Sequence, residues 1–204
     1  LPADHPPRGG KTRPAAAALL LRDNLRQRHD IERAYLKSIA QARREILIAN
    51  AYFIPGRKLH RALALAAARG VRVRLLLHGK YEHFLQYHAA RTVYQRLLEA
   101  GIEIHEYAPS ALHAKVAVVD GSWATVGSTN LDPLSLLMAR EANVVTRDPG
   151  FARGLQQRLD HLLQTAGVRI EREQLGLRPW RQRLLDRVAY VIMRTLLMLL
   201  GQRY

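Results

Sequence analysis

The segment 112–145, LHAKVAVVDGSWATVGSTNLDPLSLLMAREANVV, sets a histidine and a lysine two residues apart in what reads as a strand. Residues two apart on a strand project from one face roughly 6 to 7 Å apart, so His113 and Lys115 stand side by side and can bracket a phosphate. Lys115 supplies a fixed positive charge. A neutral imidazole at His113 can attack phosphorus and form a covalent intermediate. Ser128 and Asn130, again two apart, add neutral donors suited to phosphate oxygens or to Lys115. Glu141 can bond the other ring nitrogen of a histidine and fix its tautomer. Asp120 lies at an Asp-Gly-Ser turn, where its carboxylate is suited to capping backbone N–H groups and so to a structural role.

These groups need a frame that holds them at one edge. Upstream, DIERAYLKSIAQARR (30–44) reads as a helix with Asp30 at its N-cap and Ile31, Tyr35, Ile39 and Ala42 on one face. The run EILIANAYF (45–53) reads as a buried strand ended by Pro55-Gly56. A helix over KLHRALALAAARG, stopped by Gly70, leads to the strand VRVRLLL; a helix over 84–100, stopped by Gly101, leads to the strand IEIHEY. This alternation predicts an α/β sandwich with a mainly parallel sheet. At residue 112 the order changes. HAKVAVVD and WATVGST are separated only by a short turn, which predicts an antiparallel hairpin inserted into a now mixed sheet. ANVVT reads as a further strand, and 149–167 as a helix with proline near its start and glycine after its end.

The filled pattern is His113, Lys115, Asp120, Gly127, Ser128 and Asn130, six fixed residues whose chance occurrence is on the order of one in tens of millions per position. It resembles the HKD signature of the phospholipase D superfamily. With NAYFIPG (50–56), NLDPLS (130–135) and EANV (141–144), the resemblance extends to the C-terminal half of bacterial cardiolipin synthases, most like the B type. It covers the chain from about residue 22 to the end of the domain.

The resemblance implies a phospholipase D-like fold, a mixed β-sheet flanked by helices, to which the residues of the tail add a C-terminal amphipathic helix. It also implies a phosphatidyl transferase that works through a phosphohistidine, passes the phosphatidyl group to an alcohol such as phosphatidylglycerol, and uses no metal or other cofactor. The implied catalytic group is His113, as nucleophile or general acid, with Lys115, Asp120 and Glu141; by the same resemblance Lys115, Ser128 and Asn130 lie on the substrate phosphate and Glu141 orients a histidine. The family unites two HKD motifs, one histidine attacking while the other protonates the leaving alcohol. This chain holds one. The other histidines, at 5, 29, 60, 78, 83, 88, 105 and 161, lack the pattern; His78-Gly79-Lys80 comes nearest but has neither the Asp nor the Gly-Ser-Thr-Asn step, and His78 reads as a loop or surface residue. A second HKD domain is therefore expected, either in the same full-length chain or from a second copy.

Composition fits this reading. The chain has 204 residues, 48% of them hydrophobic, which is enough for a real core, and no cysteine, which rules out disulfides and thiolate zinc sites. Thirty-two Lys and Arg against 17 Asp and Glu leave a net charge of +15, a field attractive to anionic membrane or nucleic acid. Residues 1–21, with a proline-rich opening, read as a flexible lead-in, 22–167 as the catalytic domain, and 168–204 as a basic amphipathic tail. The longest uncharged run in the tail, 195–202, is far short of a bilayer span, so the tail is expected to lie in the interface of an anionic membrane. The corresponding location is the bacterial membrane, peripherally on its cytoplasmic face. Two alternatives stay open: a homodimeric phosphodiesterase or nuclease of the same superfamily, for which nucleic acid is the less favoured partner, and a noncatalytic lipid-binding module on the same fold.

Overall fold

The computed structural model describes residues 17–23, 26–80, 84–176 and 178–199. Its strands are β1 (Ala17–Arg22), β2 (Glu45–Asn50), β3 (Arg72–His78), β4 (Glu103–Tyr107), β5 (Lys115–Val119), β6 (Trp123–Gly127), β7 (Glu141–Thr146) and β8 (Gly167–Arg169). Between and after them come α1 (Asp30–Gln41), α2 (Arg57–Ala68), α3 (Phe84–Glu99), α4 (Pro133–Leu137), α5 (Pro149–Ala166), α6 (Arg172–Gly176) and α7 (Trp180–Leu199). The strands form one sheet in the order β1-β7-β6-β5-β2-β3-β4-β8. Among the described strands, β2-β3 and β3-β4 pair in parallel and the other neighbours antiparallel, so the sheet is mixed, as the inserted hairpin implied. The hairpin β5-β6 enters beside β2 in the antiparallel sense.

Alternation along each central strand sends side chains to two cores. Ile46 and Ile48 face one side with Val73, Leu75, Leu77 and Ile104, where they meet Ile31, Tyr35 and Ile39 of α1, Leu59 and Leu63 of α2, and Val93 and Leu97 of α3. Leu47, Ala49, Leu76, Val118 and Ala124 face the other side and are covered by Ala152, Leu159 and Leu163 of α5. A one-residue slip of β2 would exchange these two sets, so its register is firmly specified.

Both expected ends of the domain shift. The lead-in assigned to 1–21 gives way at Ala17 to β1, which pairs antiparallel with β7 from Ala17↔Thr146 to Arg22↔Glu141; residues 1–16 lie outside the described residues. At the other end, the sheet gains β8 on β4 after Gly167, and Ile170 is buried, so the tail assigned to 168–204 does not stand apart from the domain. Helix α1 begins one residue earlier than its sequence suggests, with His29 rather than Asp30 at the N-cap.

Helix α7 packs along α3. Asp186, buried to 5% exposure, accepts from His88 of α3 at 2.6 Å and from Arg178 at 2.7 Å. Ala189 is buried beside it, and Arg96 stacks over the Tyr190 ring. The opposite face of α7 leaves Trp180, Leu184, Val188, Val191 and Ile192 exposed. Among the described residues no helix is long and apolar enough to cross a membrane. Because α7 carries a buried carboxylate that accepts from two donors, Asp186→Ala leaves both without it. The expected loss is about 3 kcal/mol of stability, read as a lower urea midpoint, whereas an untethered tail would show no shift.

Candidate active site

Strand β5 runs against β2, so its first residue meets the last of β2, Lys115 opposite Asn50. This brings the His113-Lys115 step to the carboxyl ends of the parallel strands, the edge at which α/β sheets form their crevices. Lys115 is buried to 7% exposure while His113 is exposed, and Lys115 Nζ lies 3.2 Å from His113 Nε2. An ammonium can only donate, so the imidazole lone pair sits on Nε2 and the ring proton on Nδ1. Burial lowers the Lys115 pKa from its ordinary value, and the carboxylates of Glu141 and Asp132 work in the other direction. The cation is thus poorly hydrated, which strengthens its pull on any anion that reaches His113.

The Gly-Ser-Thr-Asn step follows β6 and crosses the same edge. Gly127 is required there because a Cβ would run into the Asn143 side chain and the Ala142 carbonyl. Asn143, fully buried, accepts from Thr129 Oγ1 at 2.7 Å and donates to Thr125 Oγ1 at 3.2 Å. Asn50, also fully buried, holds the far side of the loop by accepting from the Leu131 N–H at 3.2 Å. Asp132 caps α4 through the Ser135 N–H at 2.8 Å. Between these supports the side-chain oxygen of Asn130 is buried with no hydrogen-bond partner. Its amide is therefore free to meet a ligand, by its oxygen toward a hydroxyl or, turned over, by its NH2 toward a phosphate oxygen.

Ser128 donates to the Glu141 carboxylate and accepts from the Ala142 N–H at 3.0 Å. Glu141 was expected to orient a histidine, but its hydrogen bond goes to Ser128, and the ring of His113 bonds to Lys115 instead. Arg22 lies opposite Glu141 at the end of β1 and is buried to 4% exposure. Its guanidinium donates to the carbonyls of Leu136, at 3.1 Å, and Ala139. Burial lowers its pKa, and Glu141 opposes that shift.

Asp120 does not belong with these groups. Five residues separate it from Lys115 along an extended strand, about 16 Å, so it sits at the opposite end of β5. There its carboxylate accepts the backbone N–H groups of Arg43, Arg44 and Glu45 at 2.8 to 2.9 Å. Burial works against its charge, but these three bonds and the Arg44 guanidinium outweigh that and hold its pKa below the ordinary carboxylate value. Its φ of 53° and that of 61° at Gly121 form the tight left-handed turn between β5 and β6. Counting Asp120 as catalytic is corrected accordingly: it ties the hairpin to the start of β2.

The family model described as "Cardiolipin synthase, PLD-like domain" matches residues 35–163, more than half of the chain. The chain belongs to this cardiolipin synthase, PLD-like family. Within it, the chain is 44% identical over 166 residues to cardiolipin synthase B of Escherichia coli O6:H1, covering 81% of this chain and 40% of that protein. It is 36% identical over 143 residues to cardiolipin synthase 2 of Bacillus anthracis, covering 70% of this chain and 28% of that one. The chain therefore spans well under half the length of these PLD-like relatives. Among solved structures, the PLD-like fold recurs in phosphatidylserine synthase of Haemophilus influenzae, with a TM-score of 0.68 at 15% identity over 89% of this chain and 46% of that one. It recurs also in Nuc from Salmonella typhimurium, a phospholipase D family member, with a TM-score of 0.64 at 20% identity over 76% of this chain and 98% of that one.

Four residues that shape the site of this PLD-like chain carry no chemical signal in the sequence: Arg22, Asn50, Asp132 and Asn143. Asn50, Asp132 and Asn143 fall inside the runs NAYFIPG, NLDPLS and EANV, so their setting was visible while their partners were not. The structural role of Asp120 has a measurable consequence. Asp120→Ala is expected to cost about 2 kcal/mol at neutral pH while leaving activity per folded molecule unchanged. A carboxyl whose pKa is depressed on folding stabilises above its unfolded pKa of about 3.9, and that contribution disappears as pH falls through the folded value. The gap between wild type and variant should therefore close in acid, as followed by urea titrations across pH.

Proposed function

We propose that this chain supplies one of the two HKD motifs of a cardiolipin synthase-type phosphatidyl transferase. The observation that carries the reading is the His113–Lys115 contact, in which the lone pair of Nε2 faces a buried ammonium at 3.2 Å. A phosphodiester that displaces this contact frees the lone pair and meets a nucleophile and a cation together. His113 Nε2 attacks phosphorus, a P–N bond forms, and the P–O bond to the departing alcohol breaks. Lys115 and Asn130 hold the non-bridging oxygens as negative charge gathers on them, and Ser128 joins them when its hydroxyl turns from Glu141. The departing oxygen takes its proton from a general acid, the histidine of the second motif, in the same full-length chain or a second copy. An acceptor hydroxyl, such as that of phosphatidylglycerol, then attacks the phosphohistidine, gives its proton to that second histidine and releases His113.

His113→Ala in the full-length enzyme is expected to reduce phosphatidyl transfer to below about a hundredth without lowering the melting temperature, since the exposed ring is not packing. Acid-labile label from a phospholipid on His113 supports the covalent step; full activity in the variant overturns it. Cleavage of DNA in place of lipid transfer would favour the nuclease alternative.

The same reading makes the protein a peripheral enzyme of an anionic bacterial membrane, working from the cytoplasmic face. Its support is the outward side of α7, where Trp180, Leu184, Val188, Val191 and Ile192 are exposed and the exposed Arg183 and Arg187 run along one flank. Such a face inserts apolar side chains at headgroup depth while each basic residue adds about 1 kcal/mol near an anionic surface. Binding to vesicles rich in phosphatidylglycerol should weaken as salt rises yet persist. Leu184→Glu with Val188→Glu should reduce it about tenfold or more, by vesicle flotation. Unchanged flotation of the double variant would remove α7 from the membrane contact.

A further inference from the structure

His78 ends β3, and β3 lies next to β2, whose last residue Asn50 pairs with Lys115. The His78 imidazole reaches across to the candidate centre: its Nδ1 accepts the backbone N–H of Leu112 at 3.1 Å. A ring nitrogen that accepts carries the lone pair, so the neutral imidazole holds its proton on Nε2. On the other side of His113, the Ala51 N–H donates to the Ala114 carbonyl at 2.9 Å. Residue 113 is thus carried between two anchors, one from each neighbouring strand end. The Ala51 anchor is made of backbone and any residue but proline would supply it. The Leu112 anchor depends on a side chain.

The anchor is itself held firmly. The Gly79 N–H bonds the Tyr107 carbonyl at 3.0 Å, and a Cβ at Gly79 would press on Glu106 Cβ and that same carbonyl oxygen, both at 3.0 Å. The His78 ring stands edge-on to Tyr52, with centroids 6.5 Å apart. Lys80 contributes a bond from Nζ to the Pro109 carbonyl at 3.3 Å. Both polar side chains of the His78-Gly79-Lys80 step therefore reach the connection 108–114, which has no regular secondary structure and leads directly to His113. Without such ties a connection of this kind has many conformations to choose from, and ordering each residue costs entropy.

We propose that His78 is a positioning residue for His113, holding the Leu112 backbone so that the catalytic imidazole stands over Lys115. The inference takes the role of His113 from the proposed reaction. Loss of the anchor should act on kcat, because a nucleophile displaced by about 1 Å can cost roughly a hundredfold while lipid binding elsewhere is unchanged.

The test uses the full-length enzyme with His78→Leu, His78→Asn and His78→Gln. An asparagine places an acceptor oxygen close to where Nδ1 stands, whereas glutamine sets it one bond further out. His78→Leu and His78→Gln should lower kcat about 10- to 100-fold with KM within about twofold, and His78→Asn should recover most of the rate. Amide hydrogen exchange in a peptide covering 110–116, read without lipid, should quicken in His78→Leu and return toward wild type in His78→Asn. Equal loss in His78→Leu and His78→Asn, wild-type kcat in His78→Leu, or unchanged exchange would each overturn the proposal. A wild-type enzyme that transfers no phosphatidyl group would overturn the proposed reaction instead, and the exchange measurement would still decide the anchor.

Discussion

The antiparallel pairing of β5 with β2 is the constraint on which the site depends. In a purely parallel sheet every strand brings its last residues to the carboxyl edge. Reversing β5 brings its first residues there, so the short segment before it, with His113, arrives beside Asn50 and the ends of β2 and β3. The next reversals, β6 and β7, return the chain to the same edge with Ser128 and Glu141. Residues 28 positions apart in sequence thereby share one rim, and the turn at Asp120, clamped to the start of β2, prevents the hairpin from slipping relative to it.

That rim balances exposure against burial. His113, the proposed nucleophile, is exposed, whereas Lys115, two residues on, is nearly sealed. A buried cation is tolerated when carboxylates lie nearby, and here Glu141 and Asp132 supply the field. Each of those carboxylates also has a local structural partner, Ser128 for one and the α4 N-terminus for the other. The charges that support Lys115 thus also shape the loop bearing Asn130. Arg22 adds a second buried cation across from Glu141 and fastens the chain between α4 and β7 to the sheet edge.

A comparable arrangement fixes the C-terminal segment. Helix α7 is amphipathic in two directions: one side turns a carboxylate and an alanine into the α3 contact, and the other shows apolar side chains to solvent. Burying Asp186 would be prohibitive alone, yet His88 and Arg178 together satisfy it. The segment is therefore part of the domain through one face, while its outward face remains open for an interface.

Much of the architecture was legible in the sequence because it rests on local physics. Periodicity and Gly stops marked α2, β3, α3 and β4 to within about two residues, and an Asp-Gly turn between apolar runs announced the β5-β6 hairpin. The spacing of His113 and Lys115 implied a shared strand face; the two side chains are neighbours, but His113 lies just before β5 rather than on it. What the sequence left open were the partners of groups that pair at long range. Whether Glu141 turns to a histidine or to Ser128, whether Asp120 joins the chemistry or clamps a strand, and whether 17–22 is linker or edge strand all depend on which segments the sheet order brings together. His78 read as a loop residue because nothing within a few positions explains it; its bond to Leu112 spans 34 residues of chain. Local propensity determines elements, since it acts over a turn or a pleat. Only the tertiary structure decides who meets whom, since a hydrogen bond or ion pair forms wherever packing puts its two halves within about 3 Å.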